Sequence, residues 1–436
     1  MGILIYSKEI TSRIEYIFHL LLTDWMDCPV SFTEDFEQFN LHSGPKINYS
    51  TLPSADGWFL KPAELLFENG ITKQQIEVFD YKNTKAFFKT SNDAVIPFDI
   101  FAASFYLISR YEEYMPFKAD KHERFPAMES LAFKNNFLHQ PAVDIWLKDL
   151  KNALVEQYPD IKFKTKKYQF ISTIDVDNGY AYLGKSWWRS LGALIKLIIK
   201  LDFKKFEERI SVLYGFKKDP FDLYDIQRSI QDKYKFTTIY FLLCGNPAKN
   251  DHNILPHGKH FQKLVLELLE FTQIGLHPSY KSNKFPLKIA SEKETLENIA
   301  QKEISISRQH FLKLKFPNTY NNLIKAGIKE DYTMGYASHP GFRAGTCSPF
   351  KFYNLIEEQA TNLTIFPFAV MDGTLMNYMQ VKSTAAMGII KPLIEQVKNV
   401  NGLFISIWHD STFARTAEYQ DRRGVYEEMV KAGVEN

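Results

Sequence analysis

Residues 167–180 read KYQFISTIDVDNGY, and the fold turns on them. Residues 168–173 are a short run of aromatic and β-branched side chains, long enough for one buried strand. The run ends in Asp175-Val176-Asp177, and Asn178-Gly179 supplies a turn. In α/β folds ligands bind at the carboxyl ends of the strands, so two carboxylates stand where chemistry is done. With Val176 between them, both acids point the same way in an extended chain. Like charges held that close raise one pKa unless a metal, a proton or an arginine separates them. An Asp-x-Asp before a turn also serves as plain turn chemistry, its side chains accepting from backbone amides. The rest of the chain has to decide between the two readings.

Further strands are expected at 237–243, 273–276, 304–307, 364–370 and 403–407, with helices at 260–271, 292–302 and 321–326 between them. Several of these strands run into polar residues: His277, Arg308 with His310, Asp372, and His409. Residues 168–410 therefore alternate strand and helix, the pattern of a parallel α/β sheet or barrel. Residues 335–350, GYASHPGFRAGTCSPF, read as one long loop.

A chain of 436 residues is expected to form two domains, because single cores stop growing well below that size. Residues 1–160 read as a smaller α/β domain, with strands at 3–6, 30–32 and 76–79 and helices at 13–25, 97–114 and 142–157. The charges at 110–124 (Arg110, Glu112, Glu113, Asp120, His122, Arg124) read as ion pairs at a solvated helix end, with contact to a ligand as the second reading. A Lys-rich linker at 159–167 leads to the second domain, 166–436, with a helical insertion at about 185–232. The net charge of +2 makes no electrostatic case for nucleic acid. Three scattered cysteines form no metal-type pair, which points to a reducing compartment. With no apolar run of spanning length and no leader pattern at the start, a cytoplasmic address is expected.

One segment stands apart. Residues 185–205, KSWWRSLGALIKLIIKLDFKK, mix two adjacent tryptophans and many aliphatics with six cations. Such a helix either packs on the outside of a barrel or lies on a membrane surface. Its apolar residues are too nearly continuous for one narrow face, so something must cover them.

Carboxylates and imidazoles at converging strand ends suit zinc, which takes nitrogen and oxygen ligands and keeps a position open for water when catalytic. A second carboxylate would take a proton from that water, and a histidine on the other side would protonate a leaving amine.

These residues resemble, as ordered short motifs over about 168–415, the polysaccharide deacetylase (NodB-homology) superfamily. Its members are zinc enzymes on a distorted seven-stranded β/α barrel that remove acetyl groups from N-acetylated sugars. The resemblance implies that Asp175 in TIDVD is the general base and Asp177 a metal ligand. GLHPSY would supply His277 as a second ligand, and Arg308 in SRQHF would brace the base. Asp372 in VMDGTL and His409 in ISIWHD would form the pair that protonates the leaving group. The family's second histidine, four residues after the first, is here Lys281. His310 or His339 is then expected to complete the shell, with His310 preferred because it ends a strand beside Arg308. Tyr280, Arg343 and Trp408 are expected to contact substrate, and Arg343 also rivals Arg308 as the brace. The implied cofactor is Zn²⁺ or another divalent metal, and the implied partner is an N-acetylated sugar in a glycan or glycan precursor. Contact of 185–205 with a membrane would favour a lipid-linked one. Residues 1–160 resemble an extension found on one branch of these proteins.

Two other readings stay open. The barrel without its metal would be a carbohydrate-binding or scaffold protein. Alternatively, Asp175 is the nucleophile of a Mg²⁺-dependent phosphatase of the haloacid dehalogenase type, whose wording DGTL at 372–375 echoes. Those enzymes join both pieces in one string and have no use for three histidines at strand ends.

Overall fold

The computed structural model describes residues 2–53, 58–90, 96–414 and 420–435. Near the amino terminus four short strands, β1 (Ile3–Tyr6), β2 (Val30–Thr33), β3 (Lys46–Tyr49) and β4 (Trp58–Leu60), pair in parallel in the order β2-β1-β3-β4. A hairpin follows, β5 (Phe79–Tyr81) with β6 (Thr84–Ala86). The strand expected at 76–79 begins only at its last residue, because pairing with β6 sets the register.

The helix expected over 97–114 is Ile100–Ile108. Asp99 caps it, accepting from the N–H groups of Phe101 and Ala102 at 3.1 and 3.0 Å. It stops where Arg110 turns left-handed at φ 56°, and Tyr111–Tyr114 continues as a 3-10 turn. The helix Ala142–Gln157 matches its expected bounds.

The remaining strands are β7 (Gln169–Val176), β8 (Thr237–Leu243), β9 (Gln273–His277), β10 (Ile306–Ser307), β11 (Glu330–Asp331), β12 (Phe350–Asn354), β13 (Gln359–Ile365), β14 (Val370–Met371) and β15 (Leu403–His409). They form one sheet in the order β12-β13-β11-β10-β9-β8-β7-β15-β14, with every neighbouring pair parallel except β12 and β13. The helices Lys259–Leu269, Leu287–Ala300, Asn318–Lys325 and Ser383–Asn399 fall between these strands, the α/β alternation expected. The hairpin strand β12 and the helix Ser383–Asn399 were not anticipated; the helix carries Pro392 in its interior, where proline argues against a helix.

The sheet curls. Ile239 and Phe241 from β8, Ile306 from β10, Met371 from β14 and Ile405 and Ile407 from β15 gather in one apolar cluster. A larger cluster lies outside it and runs from Leu264 and Leu393 under the helices to Ile5 and Phe101 of the amino-terminal region. The expected closed barrel of seven strands is not drawn by the hydrogen bonds, since the sheet has two ends, β12 and β14. Residues 359–371 run from β13, beside one end, to β14 at the other. Along them the N–H groups of Phe366 and Phe368 bond Asp331 and Met334 at 2.8 and 3.0 Å, and that of Ala369 bonds Ile405 at 2.9 Å. Pro367 lies within this switch and has no N–H to give, which breaks the ladder there.

Between β7 and β8 come three helices, Trp187–Ile199, Phe203–Leu213 and Tyr224–Tyr234. Among the described residues no helix is long and apolar enough to cross a membrane.

Candidate active site

The parallel strands carry their polar residues to one end of the sheet. Asp175 on β7 stands in register with His409 on β15. His277 ends β9, Arg308 and His310 follow β10, and Asp372 follows β14. The turn that holds Asp177 is fixed by Asp410, whose Oδ2 accepts from the N–H groups of Asn178 and Gly179 at 3.2 and 2.7 Å. Gly179 adopts φ 70°, a left-handed conformation that glycine takes without strain.

Three acceptors converge here. The side chain of Asp177 is 32 % exposed, yet its Oδ1 is buried and has no hydrogen-bond partner. His277 Nε2 lies 3.3 Å from that oxygen and His310 Nε2 lies 3.6 Å from it. His277 Nδ1 faces the Arg308 carbonyl at 2.6 Å, and a carbonyl only accepts, so this nitrogen carries the hydrogen. His310 Nδ1 likewise faces the Asp251 carboxylate at 2.9 Å. In the neutral rings both Nε2 lone pairs therefore point at the orphaned oxygen, and all three atoms lie within 4.8 Å of one another. Lone pairs without a hydrogen to share fit a divalent cation, and nitrogen with carboxylate oxygen is a zinc-type donor set. Without a cation a proton on His310 balances Asp177 instead. Burial works against the His310 imidazolium, but Asp177 and Asp251 outweigh it and raise its pKa to about 9. Burial pushes the Asp177 carboxyl up, and His310 with His277 and His409 reverses this, holding it well below the usual range.

Beside this set, Arg308 Nη1 donates to Asp175 Oδ1 at 2.8 Å, both residues being buried. Arg308 Nε donates to the Tyr332 carbonyl at 3.0 Å, and the guanidinium lies 4.4 Å over the Phe241 ring. Gly275 makes room for that ring, since a Cβ there would come within 2.7 Å of it. The arginine thus pairs with a buried carboxylate and fixes its direction. Asp175 Oδ2 faces His277 Nε2 at 3.9 Å.

On the far side His409 Nδ1 donates to Asp372 Oδ1 at 2.6 Å, and the His409 N–H donates to Asp372 Oδ2 at 3.0 Å. Thr412 Oγ1 also bonds Oδ2. Burial disfavours the His409 imidazolium; Asp372, followed by Asp177 and Asp175, overcomes this and raises its pKa well above the ordinary value. Its Nε2 lies 3.9 Å from Asp177 Oδ2.

Asp175, Asp177, His277, His310, Asp372 and His409 line one cavity of about 330 Å³. Three more residues shape it: Arg124, from the charged helix end with a second reading as a ligand contact, and Asp251 and Tyr378. Asp251 orients His310 from the loop after β8. Arg124 reaches in from the amino-terminal region, paired with Asp120 and donating to the Phe311 carbonyl at 2.6 Å and to Tyr378 at 3.2 Å. No sequence motif announces these three.

Other expected contacts lie elsewhere. Arg343 is buried against Glu113, with Nε on Oε1 at 2.8 Å and Nη2 on Oε2 at 2.5 Å, so it serves neither as brace nor as a cavity contact. Trp408 points to the opposite face of β15, where its Nε1 meets Met429 Sδ at 3.3 Å and its ring packs on Tyr426. Its expected substrate contact is corrected accordingly. Tyr280 stands behind the wall, bonded to His122 Nδ1 at 3.1 Å and packed on Phe311, which lines the cavity. His339 bonds Ser338 and packs on Phe133, apart from the three converging donors. Lys281 is exposed on the 3-10 turn Tyr280–Asn283.

Residues 3–159 match the model of a family of unknown function, DUF7033. No curated protein matches the chain. Among solved structures, a Mycobacterium smegmatis protein assigned to the polysaccharide deacetylases shares 12% identity over 62% of this chain and 85% of its own, with a TM-score of 0.39. The Bacillus cereus polysaccharide deacetylase shares 10% identity over 61% of this chain and 87% of its own, at a TM-score of 0.29. A Bacillus anthracis pseudoenzyme of the CE4 family shares 9% over 60% of this chain and 62% of its own, at 0.28.

Proposed function

We propose that this chain is a metal-dependent hydrolase that removes the acetyl group from an N-acetylated sugar, built on a distorted NodB-like barrel. One observation carries the reading. Three lone pairs from Asp177, His277 and His310 meet on one side of a cavity that also holds a braced carboxylate and a carboxylate-backed imidazole. A divalent cation held by the three would act as a Lewis acid, drawing the pKa of a water toward ~7 and polarising a carbonyl.

The chain's own groups supply the proton transfers. Asp175, fixed by Arg308, takes the proton of the attacking water through its other oxygen as the new C–O bond forms. His409, with Nδ1–H committed to Asp372, gives the proton at Nε2 to the amine nitrogen as the amide C–N bond breaks. Acetate and the free amino sugar leave. Residues 166–436 would form the catalytic unit, and residues 1–160 would contribute Arg124 to its wall. His310 takes the place that Lys281 leaves open.

The test is acetate release from N-acetylated sugars, free, oligomeric and carrier-linked, by protein reconstituted with zinc. Wild type is expected to turn over and Asp177→Ala and His409→Ala to lose activity by ~100-fold or more. Tight zinc uptake without acetate release would reject the hydrolase in favour of a binding protein. Magnesium-dependent phosphate release lost in Asp175→Asn would replace it with the phosphatase.

A further inference from the structure

The segment between β7 and β8 has no part in the chemistry above. Its first helix, Trp187–Ile199, contains no buried residue. Trp188, Leu191, Ile195, Ile198 and Ile199 recur at three- and four-residue steps, so they form one stripe along the helix. That stripe faces solvent, with Trp187 77 % exposed, Trp188 62 % and Ile199 76 %. Leu201 and Phe203 extend it, exposed by 72 % and 62 %. Arg189, Lys196 and Lys200, two turns and one turn apart, line one edge. Residues 185–201 contain no acidic side chain, whereas the whole chain is nearly balanced at +2.

We infer that this helix lies flat in the headgroup layer of an anionic lipid bilayer. The charge pattern chooses the occupant. A second copy of the stripe would bring two unneutralised cationic edges together, and anionic headgroups would neutralise one. The indole pair suits the polar–apolar boundary. Thirteen residues rise only ~20 Å, too short to span the hydrocarbon layer. The helix is also tied to the catalytic end. It follows Asp177 across the loop 178–186, with Lys185 Nζ on the His252 carbonyl at 3.0 Å and Arg189 Nη1 on that of Asn253 at 3.4 Å. Those carbonyls belong to the neighbours of Asp251, so the membrane face and the ligand-orienting loop are held together. This inference stands whether or not the deacetylase reading does.

Cosedimentation of the full chain with vesicles tests it, using phosphatidylcholine alone and phosphatidylcholine with phosphatidylglycerol. Wild type is expected to pellet with the anionic vesicles at low salt and to stay in solution with the neutral ones. Ile195→Glu/Ile198→Glu and Lys196→Glu/Lys200→Glu should each weaken binding by ~10-fold or more. All four side chains are exposed, so far-ultraviolet dichroism and melting temperature should stay unchanged. Trp187→Phe/Trp188→Phe should remove the blue shift of tryptophan emission that vesicles cause. Wild type that ignores anionic vesicles at low salt overturns the inference. A concentration-dependent dimer abolished by Ile195→Glu/Ile198→Glu, with no vesicle binding, assigns the stripe to a second copy instead.

Discussion

Asp251 Oδ1 sits 2.9 Å from His310 Nδ1 and also accepts from the Tyr280 N–H at 2.9 Å. One carboxylate thus aims the third donor of the site and anchors the turn after β9. Outer partners of this kind typically govern metal affinity by 10- to 100-fold. Asp251→Ala should weaken zinc binding by about that factor in competition with a chromophoric chelator, and Asp251→Asn by less, since it keeps an acceptor. Equal affinity in wild type and Asp251→Ala would remove the ligand role of His310.

The two candidates for the third donor part on a stability measurement. At about 100 times its Kd a ligand adds roughly 2.7 kcal/mol to the folded state. Zinc should therefore raise the melting temperature of wild type and of His339→Ala, and leave His310→Ala and Asp177→Ala almost where they were. A zinc shift lost in His339→Ala and kept in His310→Ala would reverse the assignment.

Arg308 and Asp175 should behave as a pair. Removing one partner of a buried ion pair costs about 3–5 kcal/mol, because the other charge is left uncompensated. Arg308→Met is expected to lose about that much stability in urea titration. The double variant with Asp175→Asn should lose less than the two single losses added together. Strict additivity would mean that the contact has no energetic weight. Arg308→Lys should fail too, since an ammonium cannot reach Asp175, the Tyr332 carbonyl and the Phe241 face at once.

Arg343 leads to a pH prediction. Burial alone would raise the Glu113 carboxyl, but Arg343 and then Arg110 hold it below its ordinary value. A depressed carboxyl gives stability that is complete above the unfolded pKa of about 4.3 and is lost as pH falls through the folded one. Melting temperature should therefore drop steeply below pH ~4.3 in wild type. Glu113→Gln should be less stable at neutral pH, with buried Arg343 uncompensated and Arg110 keeping only Glu112, and its acid limb should be flatter. Parallel acid limbs would show that Glu113 is not the titrating group.

Much of the site was legible because buried strands end abruptly in polar residues. The runs before Asp175, His277 and His409 are apolar enough to mark strands, and a parallel sheet carries their ends to one side. Trp408 was misread against the same rule. It precedes His409 on a strand of period two, so if His409 faces the cavity its neighbour faces the helices. Arg343 lies in a loop without periodicity, and its partner Glu113 is distant in sequence. Asp251 has the same disadvantage, 59 residues before the histidine it aims. The strand switch at Pro367 was hidden for a different reason. Residues 364–370 look like one strand, and only their hydrogen-bond partners show that they serve two neighbours in turn.

The larger apolar cluster runs without a break from Ile5 and Phe101 to Leu264 and Leu393. Arg13 bonds Glu358 across the same boundary, and Trp25 Nε1 donates to the Pro349 carbonyl at 2.8 Å. The family match over residues 3–159 therefore ends where the packing shows no mechanical boundary. Heat should melt both parts in one cooperative transition, since each covers apolar surface of the other.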